Sequence, residues 1–170
     1  VPYEEEAIVL DMAMSQFSYG TVEAHEIKGK QLPLPGGYDR EGRLTTDPAA
    51  ILSAQRPLPM GYWKGAGLSL LLDILATLLS GGRSVFSLSR EKVEYGLSQV
   101  FIAIDISKLS HYARIGEMLR EIVLDYKKSE VAAPARTVVY PGERALARRA
   151  EYRREGIPVD RVVWEAVQAL

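Results

Sequence analysis

Residues 59–82, PMGYWKGAGLSLLLDILATLLSGG, set one lysine, Lys64, between an aromatic pair and a glycine pair, where a long apolar helix begins. The first turn of a helix has unpaired amide N–H groups and a partial positive charge, which together attract an anion. Gly61, Gly65 and Gly67 would let a ligand approach the backbone, and Lys64 would add a full charge. A glycine-rich turn with a solvated lysine accounts for the same residues, so spacing alone leaves both readings open.

Other chemistry is scarce. There is no cysteine, which removes disulfides, thiolate catalysis and cysteine-ligated metal. The two histidines, His25 and His111, lie far apart in sequence, and no metal site is expected. GYWKGAG has its lysine before the glycine that a P-loop puts in front of it, and GAGLSL puts Leu70 where the dinucleotide fingerprint needs its third glycine. GLSQV lacks the glycine of a nucleophile elbow. The arginines of residues 144–154 alternate with Glu143, Glu151 and Glu155, the pattern of a solvated helix face.

These residues need elements to hold them. At 170 residues, 47% hydrophobic and 25% charged, the chain has the balance of a soluble globular protein. A net charge of -1 and a pI near 6.2 give no reason to expect nucleic acid. The most apolar run, 68–79, is broken by Ser69, Asp73 and Thr77 and falls short of the roughly 20 residues of a membrane span. No signal peptide is visible, and the start VPYEEEAIVLDMAMS enters a strand pattern as if cut from something longer.

Buried strands are expected at 8–14 and 98–106, from their β-branched apolar runs. A short helix follows Thr21 and ends near Gly29; Asp47 caps a helical turn; and a buried helix runs over 65–80 to the stop Gly81-Gly82. Residues 114–128 place Ile115, Met118, Leu119, Ile122 and Tyr126 on one inward face. A linker at 130–136 leads to a short strand, a turn at Pro141-Gly142, an arginine-rich helix ending at Gly156, and a last helix capped by Asp160.

The blocks VLDMAMSQFSYGTVEAHEIKGKQLP, GGYDREGRLTTDP, LPMGYWKGAGLSLLLDILATLLSGG and GLSQVFIAID, in this order, resemble the C-terminal half of the malate/L-lactate dehydrogenase family. The resemblance implies an α/β (α+β) fold with a largely antiparallel sheet and packed helices, not of Rossmann type. Residues 1–106 would form the main part of the nucleotide-binding domain and 107–170 a helical C-terminal part. It further implies a cytoplasmic homodimer that moves a hydride between NAD(P), with NADH preferred, and a small 2-oxo or 2-hydroxy acid. Malate, lactate or ureidoglycolate are alternative substrates within the family. The cofactor contacts carried over are Leu10, Asp11, Met12 and Ala13 at the end of the first strand, Trp63 and Lys64 at the helix mouth, and Gly142, Glu143 and Arg144 at the turn. Under this resemblance Lys64 serves the cofactor's charged part.

The family's proton donor is a histidine in a Ser-His-Gly stretch of the N-terminal half, and neither His25 nor His111 has that context. The expectation is therefore an enzyme half without its catalytic residue, inactive alone. A non-catalytic interaction domain is the alternative from another class.

Overall fold

The computed structural model describes residues 1–131 and 137–170, so most of the expected linker at 130–136 lies outside the described residues. The chain divides into two compact units, one of Val1–Asp11 with Asp105–Leu170, the other of Met12–Ile104.

In the first unit, β1 (Pro2–Tyr3) and β2 (Glu6–Ala7) form an antiparallel hairpin, with Pro2 opposite Ala7. Two 3-10 turns, Ile106–Lys108 and Tyr112–Arg114, precede α5 (Ile115–Lys127). The inward edge of α5 runs through Ile115, Leu119 and the buried Val123, at i, i+4 and i+8. Met118, Ile122 and Tyr126, expected on the inward face, are exposed instead, because the packed stripe is narrower than the apolar stripe. Then follow α6 (Glu143–Glu155), which ends at Gly156, and α7 (Arg161–Gln168), capped by the Asp160 carboxylate accepting from the Val162 amide at 3.0 Å. Residues 137–140 form no ladder.

In the second unit, α1 (Tyr19–Ile27) starts one turn earlier than expected, since Ser18 is its cap: its Oγ accepts from the Thr21 amide. Asp47 caps α2 (Pro48–Ala54) as expected, with proline at the first helical position. Between α1 and α2 lies a second antiparallel hairpin, β3 (Gly37–Tyr38) with β4 (Leu44–Thr45). Val22, Leu32 and Ile51 form the core here, with Phe17 and Leu52 packed against them. Gly37 is required at this place: a Cβ would lie 2.6 Å from the Arg56 carbonyl and 2.8 Å from Ile51. Both ladders among the described residues are antiparallel.

The helix expected at 65–80 is α3 (Trp63–Ser80), stopped by Gly81 at φ 67°. A short α4 (Val85–Leu88) follows, its Val85 amide donating to Asp73 at 2.9 Å. In the loop beyond, the Arg83 guanidinium lies over the Tyr95 ring and pairs with Glu91.

Three burial expectations are corrected. Only Gly65 of α3 is buried, and its leucines are exposed on every side. Residues 8–13 and 99–105 form no ladder, and Phe101 and Ile102 are 87% and 84% exposed. A β-branched apolar run states a need for cover, and among the described residues neither run pairs into a ladder that would supply it. With an 18-residue length and mean hydropathy of 1.3, α3 also meets the length and composition of a short membrane span, a pattern that core helices of water-soluble proteins share.

Candidate functional site

The nine candidate residues fall into two groups, one in each unit. In the first unit the Val9 amide donates to the Pro141 carbonyl at 3.1 Å, pinning the chain before Leu10 against the turn before α6. Gly142, the N-cap of α6, has φ 92°, and a Cβ there would lie 3.1 Å from both the amide nitrogen and the carbonyl oxygen of Val9. Only glycine combines that backbone conformation with that approach. Leu10, Asp11, Gly142 and Arg144 thereby line one cleft of about 660 Å³, together with Tyr126 and Tyr140.

Glu143 turns away from this cleft. One carboxylate oxygen accepts from the Tyr140 amide at 3.1 Å and the other from the Lys127 ammonium. The hydrogen bond to Glu143 raises the Lys127 pKa above the ordinary lysine value, and Lys127 also lies 5.1 Å from the Tyr140 ring centroid. Glu143 therefore clamps the turn to α5. No side chain caps the first turn of α6, so its free amides and Arg144 are the donors offered at the cleft, beside the Asp11 carboxylate.

In the second unit, Met12 and Ala13 lead into an extended pairing: Met60 donates to the Met14 carbonyl at 2.9 Å and Gln16 to the Leu58 carbonyl at 2.7 Å. That pairing delivers the chain to the mouth of α3. Tyr62, the N-cap, has φ 57° and ψ -118°, a conformation disfavoured for a side-chain-bearing residue, and no side chain caps the helix. Trp63 and Lys64 are exposed, and Lys64 makes no ion pair among the described residues. A cation in the first turn opposes the helix dipole, so a bound anion would relieve two unfavourable charges together.

The glycines of this mouth have different roles. A Cβ on Gly65 would stand 2.1 Å from the Met60 carbonyl, so Gly65 serves helix-to-turn packing and not ligand approach. Gly67 faces open space. Sequence reasoning missed the strained Tyr62, for which the sequence holds no signal, and the walls Tyr126 and Tyr140, of which the YPGER turn was the available sign.

The first unit thus holds a cleft beside a glycine turn whose charged lining residues are Asp11 and Arg144. The chain belongs to the malate/L-lactate dehydrogenase family, whose model matches residues 1–168. It is 45% identical over 163 residues to a 2,3-diketo-L-gulonate reductase of Escherichia coli, covering 95% of this chain and 49% of the relative. Among solved structures it is similar to a dehydrogenase from Sinorhizobium meliloti (TM-score 0.71, 29% identity, 99% of this chain and 50% of that one). A sulfolactate dehydrogenase from Methanocaldococcus jannaschii also matches (TM-score 0.71, 25% identity, 92% and 45%). The chain thus spans about half the length of the curated relatives it matches.

Proposed function

We propose that this chain is the cofactor-binding part of a cytoplasmic, homodimeric reductase that transfers a hydride between NADH and a 2-oxo acid, with 2,3-diketo-L-gulonate as the substrate. The observation that carries the cofactor part is the cleft that joins Leu10 and Asp11 to Gly142 and Arg144. The substrate rests on the 45% identity to the Escherichia coli reductase.

The residues present suit a dinucleotide. Arg144 and the uncapped amides of α6 would hold phosphate, the Asp11 carboxylate would accept from a ribose hydroxyl, and Leu10 and Tyr126 offer apolar wall. Met12, Ala13, Trp63 and Lys64 are assigned to the cofactor on their match to the family pattern, with the uncompensated Lys64 as physical support. Glu143 acts through the turn it clamps. When bound, the nicotinamide supplies the hydride for carbon 2 of the acid, a chemistry that belongs to the cofactor. The proton for the resulting alkoxide needs a separate acid. His25 donates its Nδ1–H to the Thr21 carbonyl at 2.8 Å and His111 is exposed ahead of a 3-10 turn, and neither has the Ser-His-Gly context of the family's proton donor.

The test separates binding from turnover. NADH is titrated against Trp63 emission in a Trp164→Phe background, and NADH oxidation is followed with 2,3-diketo-L-gulonate, malate, lactate and ureidoglycolate. Quenching by NADH without oxidation is expected of this chain, and oxidation with 2,3-diketo-L-gulonate of the full-length protein. Absence of NADH binding in both would sink the proposal.

A further inference from the structure

The outer side of α6 continues the cleft into a second groove. Arg144 and Ala145 belong to both, and beyond them the groove is lined by Arg148, Arg149, Tyr152, Arg153 and Ile157, with no carboxylate among the lining residues. Arg144, Arg148 and Tyr152 follow at i, i+4 and i+8, so the groove extends roughly 12 Å along the helix axis. Arg149 is paired with Glu6, whereas Arg144, Arg148 and Arg153 make no ion pair among the described residues.

Such a face opposes its own helix. Arg144 and Arg148 repel at i, i+4, as do Arg149 and Arg153, and Arg144 stands in the first turn, where the helix dipole disfavours a cation. A phosphate seated in the groove would offset that repulsion and accept from a guanidinium in a bidentate pair. The one carboxylate among the lining residues of the neighbouring cleft is Asp11, and Arg148 lines the groove but not the cleft.

We infer that Arg148 is the residue that receives the 2′-phosphate when NADPH is the coenzyme, and so sets the preference between NADPH and NADH. This rests on the cofactor reading above, and it extends that reading to a specificity residue outside the nine candidates. Tyr152 and Ile157 then give the adenine side an apolar floor.

The experiment measures dissociation constants for NADH and NADPH on the full-length protein, parent and Arg148→Ala, with adenosine 2′,5′-bisphosphate and 5′-AMP as competing probes. Arg148 is exposed, so the substitution leaves the fold intact, which an unchanged melting temperature checks. Expected is a weakening of NADPH and of the bisphosphate by about tenfold or more, with NADH and 5′-AMP within twofold and partial recovery in Arg148→Lys. Equal losses for NADH and NADPH, or none for either, overturn the assignment while leaving the cofactor reading standing. The same holds if the parent binds NADH but not NADPH. A parent that binds neither coenzyme overturns both.

Discussion

Val9 and Pro141, at opposite ends of the sequence, are joined by a 3.1 Å hydrogen bond from the amide of the first to the carbonyl of the second. This bond makes the cleft, because it sets Leu10 and Asp11 facing Arg144, and it requires the next residue, Gly142, to come within van der Waals limits of Val9. Gly142→Ala must place a Cβ 3.1 Å from backbone atoms at φ 92°. We expect a loss of roughly 1–3 kcal/mol in denaturant melts and a matching loss of NADH affinity. An alanine variant as stable as the parent would show that the turn does not press on Val9.

Two glycines in α3 make a paired test. Gly65→Ala drives a Cβ to 2.1 Å from the Met60 carbonyl, so the turn or the helix mouth must shift, and a loss above about 2 kcal/mol is expected. Gly67→Ala meets nothing within 4 Å and gains helix propensity, so it should stabilise by roughly 0.5–1 kcal/mol. Thermal melts of both variants check the contrast; equal effects would mean that Gly65 is not packed on Met60.

The Lys127–Glu143 pair gives a pH prediction. The pair raises the folded-state pKa of Lys127 above the ordinary lysine value, chiefly through the hydrogen bond to Glu143. A group whose pKa is raised on folding lends stability that is complete below the unfolded pKa and fades as pH rises through the folded one. The parent should therefore lose stability above about pH 10 more steeply than Lys127→Met, with the two profiles parallel at pH 7 to 9. Parallel profiles at alkaline pH would remove Lys127 from the clamp.

What local chemistry decides was legible in the sequence. Asp47 and Asp160 cap the helices they were expected to cap, and Gly81 and Gly156 end theirs, because a cap depends on a few neighbouring atoms. The cleft was half legible: the YPGER turn was visible, but its pairing with Val9 depends on the path of the whole chain. Burial was the least legible. The run VFIAIDI has the composition of a covered strand, yet Phe101 and Ile102 stand exposed, since composition cannot say whether a partner strand is present. On α5 the helix and part of its inward edge, Ile115 and Leu119, were foreseen, but Val123, its one buried residue, was omitted from the expected stripe.

The core of the second unit is small, so single truncations should matter. Ile51 is fully buried against Val22 and Leu32, and its side chain also backs Gly36 and Gly37 of the β3 hairpin. Ile51→Ala should cost about 2–5 kcal/mol, whereas Ile122→Ala on the exposed side of α5 should cost well under 1. Chemical denaturation of the two variants gives the comparison, and an Ile51→Ala protein with the parent's midpoint would mean that this core does not hold the unit together.

Lys64 supplies the last prediction. It is exposed, stands in the first turn of an uncapped helix and makes no ion pair among the described residues, so nothing in its own unit explains a cation there. If it serves the charged part of the cofactor, Lys64→Ala in the full-length protein should weaken NADH roughly ten- to a hundredfold, the size of a charge-assisted contact. Added salt should weaken NADH binding in the parent and less in the variant, because an exposed charge contact is screened over about 10 Å at 0.1 M. The Gly65→Ala variant separates this from a packing effect: its loss of binding, if any, should follow its loss of stability and keep the parent's salt dependence. A Lys64→Ala protein that binds NADH as tightly as the parent at low salt would return Lys64 to the status of a solvated lysine on a glycine-rich turn.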